Sequence, residues 1–85
     1  DVNFIDEMVK SLKTNYNIDS NAIFVIGESN GAMFSHYLVY QLPNLARAVM
    51  PIYGLPLVGK LNVPKTLSNT PILQMHDRSD TTIPW

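Results

Sequence analysis

The sequence predicts an α/β protein with a parallel sheet of about three strands between two layers of helices. Stretches with helical spacing of apolar residues alternate with short, unbroken apolar runs. The central run, residues 22–26, shows no polar alternation, which is typical of a strand buried on both faces of a parallel sheet. The order helix, strand, helix, strand, loop, strand then implies parallel β-α-β units with right-handed crossovers.

The first predicted helix covers residues 2–16. Asp1 is placed to cap it, and Asp6 and Lys10 form a favourable i,i+4 pair on its polar side. Its apolar face repeats every three or four residues, at Val2, Ile5, Met8, Val9, Leu12 and Tyr16.

The strand at residues 22–26 leads into a second helix, predicted over residues 30–42. This helix is apolar nearly all round and is therefore expected to be enclosed. Further along, the sequence predicts a strand at 46–52 with Pro51 near its end. A long connection at 54–70, a third strand at 72–75 and a loop at 76–85 complete the chain.

Composition narrows the classes of function. The 85 residues are 46% hydrophobic and 15% charged, with a net charge of -1 and no cysteine. These values argue against disorder and exclude a disulfide scaffold, a thiol nucleophile and a cysteine-ligated metal. Six basic and seven acidic residues give no reason to expect nucleic acid or an anionic membrane as a partner. Because the chain begins at Asp1 without Met, we interpret residues 1–85 as an internal piece, a single partial domain.

The motif Gly27-Glu28-Ser29-Asn30-Gly31 joins the predicted buried strand to the long helix. In a G-x-S-x-G turn the glycines allow close backbone packing, so that the serine stands clear at the carboxyl edge of the sheet. The pattern therefore predicts Ser29 as a nucleophile and the Asn30 amide as an oxyanion donor at a helix N-terminus. The alternative is a serine that merely caps the helix.

A nucleophilic serine needs a histidine base and an acid that orients it. Asp77 and Asp80 both follow the third predicted strand, where the orienting acid is expected. His36 lies inside the second helix and His76 precedes both acids, so each is interpreted as a core or strand-end histidine. The catalytic histidine is then expected after Trp85, outside these residues, and the 85 residues alone are expected to show no turnover.

Several segments resemble the polyhydroxybutyrate depolymerase and feruloyl esterase family of α/β-hydrolases, which is close to the carbohydrate esterases. The similar segments are residues 1–6, 16–19, 27–33 and the tail 74–85. The resemblance implies a partial α/β-hydrolase fold that lacks its N-terminal strands and its His-bearing C-terminal part. It also implies Ser29 as nucleophile and Asn30 as oxyanion donor. Asp80 is preferred over Asp77 as triad acid, because Asp77 falls where the family has Gly.

Two further residues are candidates for contact with substrate. Glu28 stands where the family has an apolar or aromatic residue, and we favour a carboxylate hydrogen-bonded to neighbouring backbone over a catalytic role. Trp85 ends the tail, where lining an acyl pocket and simple packing are equally open. Ala32 replaces a second glycine of the family, a small change at the helix start.

Together these features predict a carboxylic ester hydrolase that works through an acyl-enzyme on Ser29. The resemblance implies a small or polymer-linked ester of the feruloyl, acetyl-xylan or polyhydroxyalkanoate type, an extracellular location, and no metal or organic cofactor. Open alternatives are a prolyl-oligopeptidase-type peptidase, a dienelactone-type hydrolase and a non-catalytic interaction module of the same fold. A nucleotide-binding module is disfavoured, since the turn is neither G-x-G-x-x-G nor a P-loop.

Overall fold

A computed structural model describes residues 2–56 and 69–84. It contains α1 (Val2–Asn15), β1 (Phe24–Glu28), α2 (Asn30–Gln41) and β2 (Ala48–Ile52). Both helices and both strands are confirmed, although β1 lies two residues later than predicted. The shift arises because β1 remains paired with β2 through Glu28, so the first two of the five residues of the predicted turn motif are strand. The expected cap Asp1, most of the connection 54–70 and Trp85 lie outside the described residues.

The two strands form a parallel sheet whose register runs from Phe24 opposite Ala48 to Glu28 opposite Ile52. The predicted third strand lies beside β2 in the same direction. It is joined through isolated bridges, Val49 with Ile72 and Ile52 with Met75.

Pro51 explains why this pairing is incomplete. Val49 and Tyr53 donate their amides to the carbonyl oxygens of Pro71 and Met75, at 3.0 and 2.9 Å. Between them, Pro51 accepts a bond from the Met75 amide at 3.0 Å but has no N–H of its own to donate. One rung of the ladder is therefore missing, and residues 72–75 follow β2 without forming a regular strand.

Helix α2 covers one face of the sheet, and the core lies between them. Its buried side chains are Ala32, Ser35, His36, Leu38 and Val39 of α2, with Val49 and Pro51 of β2. The prediction that α2 is enclosed is confirmed on this side. The interface places the first turn of α2 directly against the carboxyl end of β1.

The other face of the sheet is uncovered in the described part of the chain. Phe24 and Ile26 are 62% and 67% exposed, so the prediction of a strand buried on both faces is wrong for this structure. Helix α1 fully buries none of its residues, and its apolar side chains are exposed at Phe4, Met8 and Leu12 and half-buried at the other positions. The parallel α/β arrangement is confirmed, with one helical layer packed on the sheet among residues 2–56 and 69–84.

The polar side of α1 matches its prediction. Lys10 Nζ lies 2.9 Å from Asp6 Oδ2 as an i,i+4 ion pair. The hydrogen bond and the charge of Asp6 raise the pKa of Lys10 above its ordinary value. No helix in the described ranges is both long and apolar enough to cross a lipid bilayer.

The two glycines of the turn motif have different packing environments. A Cβ atom on Gly27 would lie 2.2 Å from the Gly31 carbonyl oxygen and 2.4 Å from Ser35 Oγ. Ser35 is itself fixed, because its hydroxyl donates to the Gly31 oxygen at 2.7 Å. By contrast, a Cβ on Gly31 would meet nothing within 4 Å. Only Gly27 is therefore required for strand and helix to touch.

We expect Gly27→Ala to destabilise the protein, because backbone atoms of α2 cannot yield to the new methyl group. The free energy of unfolding should fall by about 3 kcal/mol, the upper part of the usual range for overpacking. Gly31→Ala is the matched control and should leave that free energy unchanged or raise it by up to about 1 kcal/mol. Urea unfolding of the natural full-length protein measures both, and equal effects of the two substitutions would contradict this account.

Candidate active site

Ser29 occupies a strained turn between the last residue of β1 and the first residue of α2. Its φ is 55° and its ψ is -115°, a region that residues with a side chain rarely adopt. The Ser29 amide donates to the Ile52 oxygen at 2.8 Å, and the Ser29 oxygen accepts from the Ala32 and Met33 amides at 3.0 and 3.1 Å. These bonds hold the backbone of the turn from both sides.

The side chain of Ser29 is not used to hold the turn. The residue is exposed, and its hydroxyl makes no capping hydrogen bond to α2. The alternative of a simple helix cap is therefore wrong. The structure leaves the hydroxyl accessible at the carboxyl end of β1.

Gly54, which follows β2, packs against the back of this turn. A Cβ there would lie 2.6 Å from the Ser29 carbonyl oxygen and 2.5 Å from Ala32 Cβ. The chain leaving β2 thus closes onto the turn so tightly that a side chain cannot fit between them. Gly54 was not predicted to belong to the site. A glycine directly after a predicted neighbouring strand could have indicated this close approach of the backbone.

Asn30 is exposed and begins α2. The first amides of a helix have no carbonyl partner within the helix, and the helix dipole makes this end positive. The Asn30 amide therefore has the position expected of an oxyanion donor next to Ser29.

Asp80 lies at the same edge of the sheet as Ser29. Glu28 is opposite Ile52 in the register, and Ile52 is bridged to Met75, so the ends of all three segments are level. Neighbouring strands are about 4.8 Å apart, which separates the end of β1 from the end of the third segment by roughly 10 Å.

The two carboxylate oxygens of Asp80 have different surroundings. Oδ1 accepts hydrogen bonds from the Thr82 and Ile83 amides, both at 2.9 Å. Oδ2 lies 3.7 Å from His76 Nε2, which is beyond hydrogen-bond distance. His76 Nε2 is bonded instead to the Ile83 carbonyl, which can only accept, so this nitrogen carries the proton. Oδ1 therefore carries both hydrogen bonds that Asp80 accepts within the described residues, and Oδ2 carries none.

Asp77 differs from Asp80 in this respect. It is exposed, and its Oδ1 accepts from the Ser79 amide at 2.8 Å in a local turn. Its backbone oxygen accepts from the Asp80 amide at 3.1 Å. Asp77 therefore shapes the loop, whereas Asp80 is the partly buried carboxylate that the loop orients.

Neither histidine of the chain is placed to act as the base for Ser29. His36 is 6% exposed within α2, and the His76 side chain is 2% exposed beneath the Asp80 loop. Both are buried, as the sequence analysis predicted. Residues 2–56 and 69–84 hold no group of three or more His, Cys, Asp or Glu arranged to bind a metal ion.

Two residues at this edge differ from prediction. Glu28 is exposed, and its carboxylate has no hydrogen-bond partner in the described ranges, so the predicted bond to neighbouring backbone is wrong. Its position at the end of an edge strand directs it to solvent instead.

Tyr53 is a residue at this edge that was not predicted. It is 41% exposed and has a φ of 58°, and its ring meets the His76 ring edge-on, with the ring centres 6.3 Å apart. It directly follows β2, the strand that lies between β1 and the third segment.

Comparison with known proteins is consistent with this geometry. The family described as phospholipase/carboxylesterase matches residues 2–85. A bifunctional acetylxylan esterase/xylanase from Neocallimastix patriciarum is 28% identical over 80 residues, which is 94% of this chain and 12% of that protein. The chain thus spans about an eighth of the length of this relative. No solved structure matches the chain significantly.

The strain at Ser29 makes a testable prediction about stability. Relative to Ser29→Ala, the variant Ser29→Gly should be more stable by about 1 kcal/mol, because only glycine adopts this backbone conformation freely. At the next position the sign should reverse: Asn30→Gly should be less stable than Asn30→Ala by about 1 kcal/mol, since Asn30 is helical. Thermal unfolding of the four variants gives both differences, and the same sign at both positions would argue against strain.

Proposed function

This chain belongs to the phospholipase/carboxylesterase family, and we propose that it supplies the nucleophile and the triad acid of a serine-dependent carboxylic ester hydrolase. The observation that carries the proposal is the exposed Ser29 hydroxyl on a strained turn, level with an oriented Asp80 carboxylate. A strained serine with no capping role is costly to keep, which favours a chemical role for it.

In the proposed reaction, Ser29 Oγ attacks the ester carbonyl while a histidine outside these 85 residues takes its proton. The Asp80 Oδ2 atom accepts the Nδ1–H of that histidine and fixes its tautomer. The Asn30 amide donates to the oxyanion of the tetrahedral intermediate. The histidine then protonates the departing alcohol, and water, activated by the same histidine, releases the acid from the acyl-enzyme.

As substrate we propose a small or polymer-linked ester of the acetyl or feruloyl type. Similarity to an acetylxylan esterase supports an acyl group carried on a polysaccharide, and the resemblance of residues 27–33 extends the proposal to feruloyl or polyhydroxyalkanoate esters. Glu28, which is exposed beside Ser29, and Trp85 are proposed contacts to the substrate. An extracellular location is proposed on the same resemblance.

The test of this function is covalent labelling of the natural full-length protein with a fluorophosphonate probe. We expect one adduct, on the peptide that contains Ser29, and loss of labelling in Ser29→Ala. Ser79→Ala is the matched control, because Ser79 is also an exposed serine near this edge but has no role in the proposed reaction. Labelling that persists in Ser29→Ala, or an unlabelled wild-type protein, would refute the proposal; the latter outcome favours a non-catalytic module.

The choice of acid has its own test. Asp80→Asn keeps an oxygen for the Thr82 and Ile83 amides but replaces the acceptor Oδ2 by a donor, so kcat for p-nitrophenyl acetate should fall by about 10⁴-fold with little loss of stability. Asp77→Asn preserves the Ser79 bond in the same way and should retain kcat within about twofold of wild type. A large loss in Asp77→Asn and a small one in Asp80→Asn would assign the acid to Asp77.

A further inference from the structure

A partly buried chain of polar groups runs behind the candidate site and involves residues from three parts of the fold. His36 Nε2 of α2 lies 2.9 Å from Gln74 Oε1, and Gln74 Nε2 donates to the Gly54 carbonyl at 2.9 Å. Gly54 in turn packs on the backbone of Ser29, where a Cβ atom would come within 2.6 Å of the Ser29 oxygen. The sequence analysis interpreted His36 as a core histidine and did not single out Gln74.

The direction of this chain follows from its chemistry. A backbone carbonyl can only accept, so the NH₂ group of Gln74 must face Gly54 and the Gln74 oxygen must face His36. His36 Nε2 therefore carries a hydrogen atom and donates a hydrogen bond to Gln74 Oε1. Both hydrogen bonds thus require the same orientation of the Gln74 amide, with its oxygen toward His36 and its NH₂ group toward Gly54.

The chain joins the two halves of the proposed catalytic edge. Gln74 precedes Asp80 by six residues in the segment that leads to the acid. His36 lies two turns into α2, the helix that begins at the Ser29 turn, and Gly54 follows β2 and packs behind the serine. Pro51 removes one backbone hydrogen bond between these two parts of the sheet while four remain, so the Gln74 side chain adds a link where the ladder has one rung missing.

We infer that Gln74, held by His36, is a positioning residue that sets the distance between the Ser29 turn and the Asp80 segment. The inference rests on the proposed function, since it assigns these residues to the same site. Directional hydrogen bonds at 2.9 Å define the relative placement of three elements more closely than apolar packing does, because apolar contact is not directional. A shift of about 1 Å between reacting groups costs up to roughly a hundredfold in rate.

The experiment uses Gln74→Met in the natural full-length protein, because methionine has nearly the same volume and makes neither bond. We expect kcat for p-nitrophenyl acetate to fall ten- to a hundredfold while KM stays within about twofold, since the link acts on catalytic geometry and not on the substrate pocket. The rate of fluorophosphonate labelling of Ser29 should fall in parallel.

Thr70→Val is the matched control for a structural effect. Thr70 Oγ1 donates to the Pro43 carbonyl at 3.2 Å, a tie between the start of the same segment and the loop that follows α2. Its loss should lower the melting temperature without changing kcat by more than about twofold. If Gln74→Met changes kcat no more than Thr70→Val does, the inference is wrong.

His36 gives an independent variant pair. Phenylalanine at this position removes the donor but keeps a ring, whereas glutamine places an NH₂ group near the Nε2 position. We expect His36→Phe to lose kcat as Gln74→Met does and His36→Gln to recover at least part of it. If Gln74→Met does not fold, the two His36 variants alone test whether Gln74 is a positioning residue. Equal kcat values for these two variants would overturn the inference.

Failure of this inference is distinguishable from failure of the proposed function. If wild-type Ser29 is labelled and Ser29→Ala is inactive, the proposed function stands whatever the Gln74 variants do. A normal kcat in Gln74→Met then rejects positioning alone. If Ser29 is never labelled, both proposals fail together.

Discussion

The close contact between the backbone of β1 and the first turn of α2 is the constraint on which the site depends. At Gly27 and again at Gly54 there is no room for a side chain, since Cβ atoms would come within 2.2 and 2.5 Å of their neighbours. Backbone on both sides leaves the connecting residue little freedom, so Ser29 is held at a φ of 55° with its hydroxyl outward. Close backbone packing on one side of the turn thus leaves the Ser29 hydroxyl accessible on the other side. The free energy of the packing at Gly27 and Gly54 offsets the backbone strain at Ser29.

The sequence predicted the features that depend on local pattern. The glycine spacing around Ser29, the apolar strand before it and the continuous apolar helix after it indicated the turn, and the structure has it. Burial of Phe24 and Ile26 was predicted wrongly in the described chain, because an apolar run shows only that a strand can be covered, not what covers it. The contacts of Gln74 could not be predicted, since its partners are 38 and 20 residues away and depend on the completed fold.

The loop after the third segment shows how similar residues acquire different roles. Asp77 and Asp80 both accept backbone amides, and sequence spacing alone left both as possible acids. The difference is that the two amides bound to Asp80 both use Oδ1, and Oδ2 lies 3.7 Å from the buried His76 Nε2, whereas Asp77 is exposed in a local turn.

Pro51 has a consequence for how motion is distributed in the sheet. Without an amide at this position, β2 pairs with β1 residue by residue on one side, whereas on the other side one backbone hydrogen bond to the third segment is missing and four remain. Because this line has one bond fewer, small sliding movements cost less there than between β1 and β2. The part of the fold that carries the strained Ser29 is thus paired without interruption, and the segment that leads to Asp80 joins it across the one position where a backbone donor is lacking.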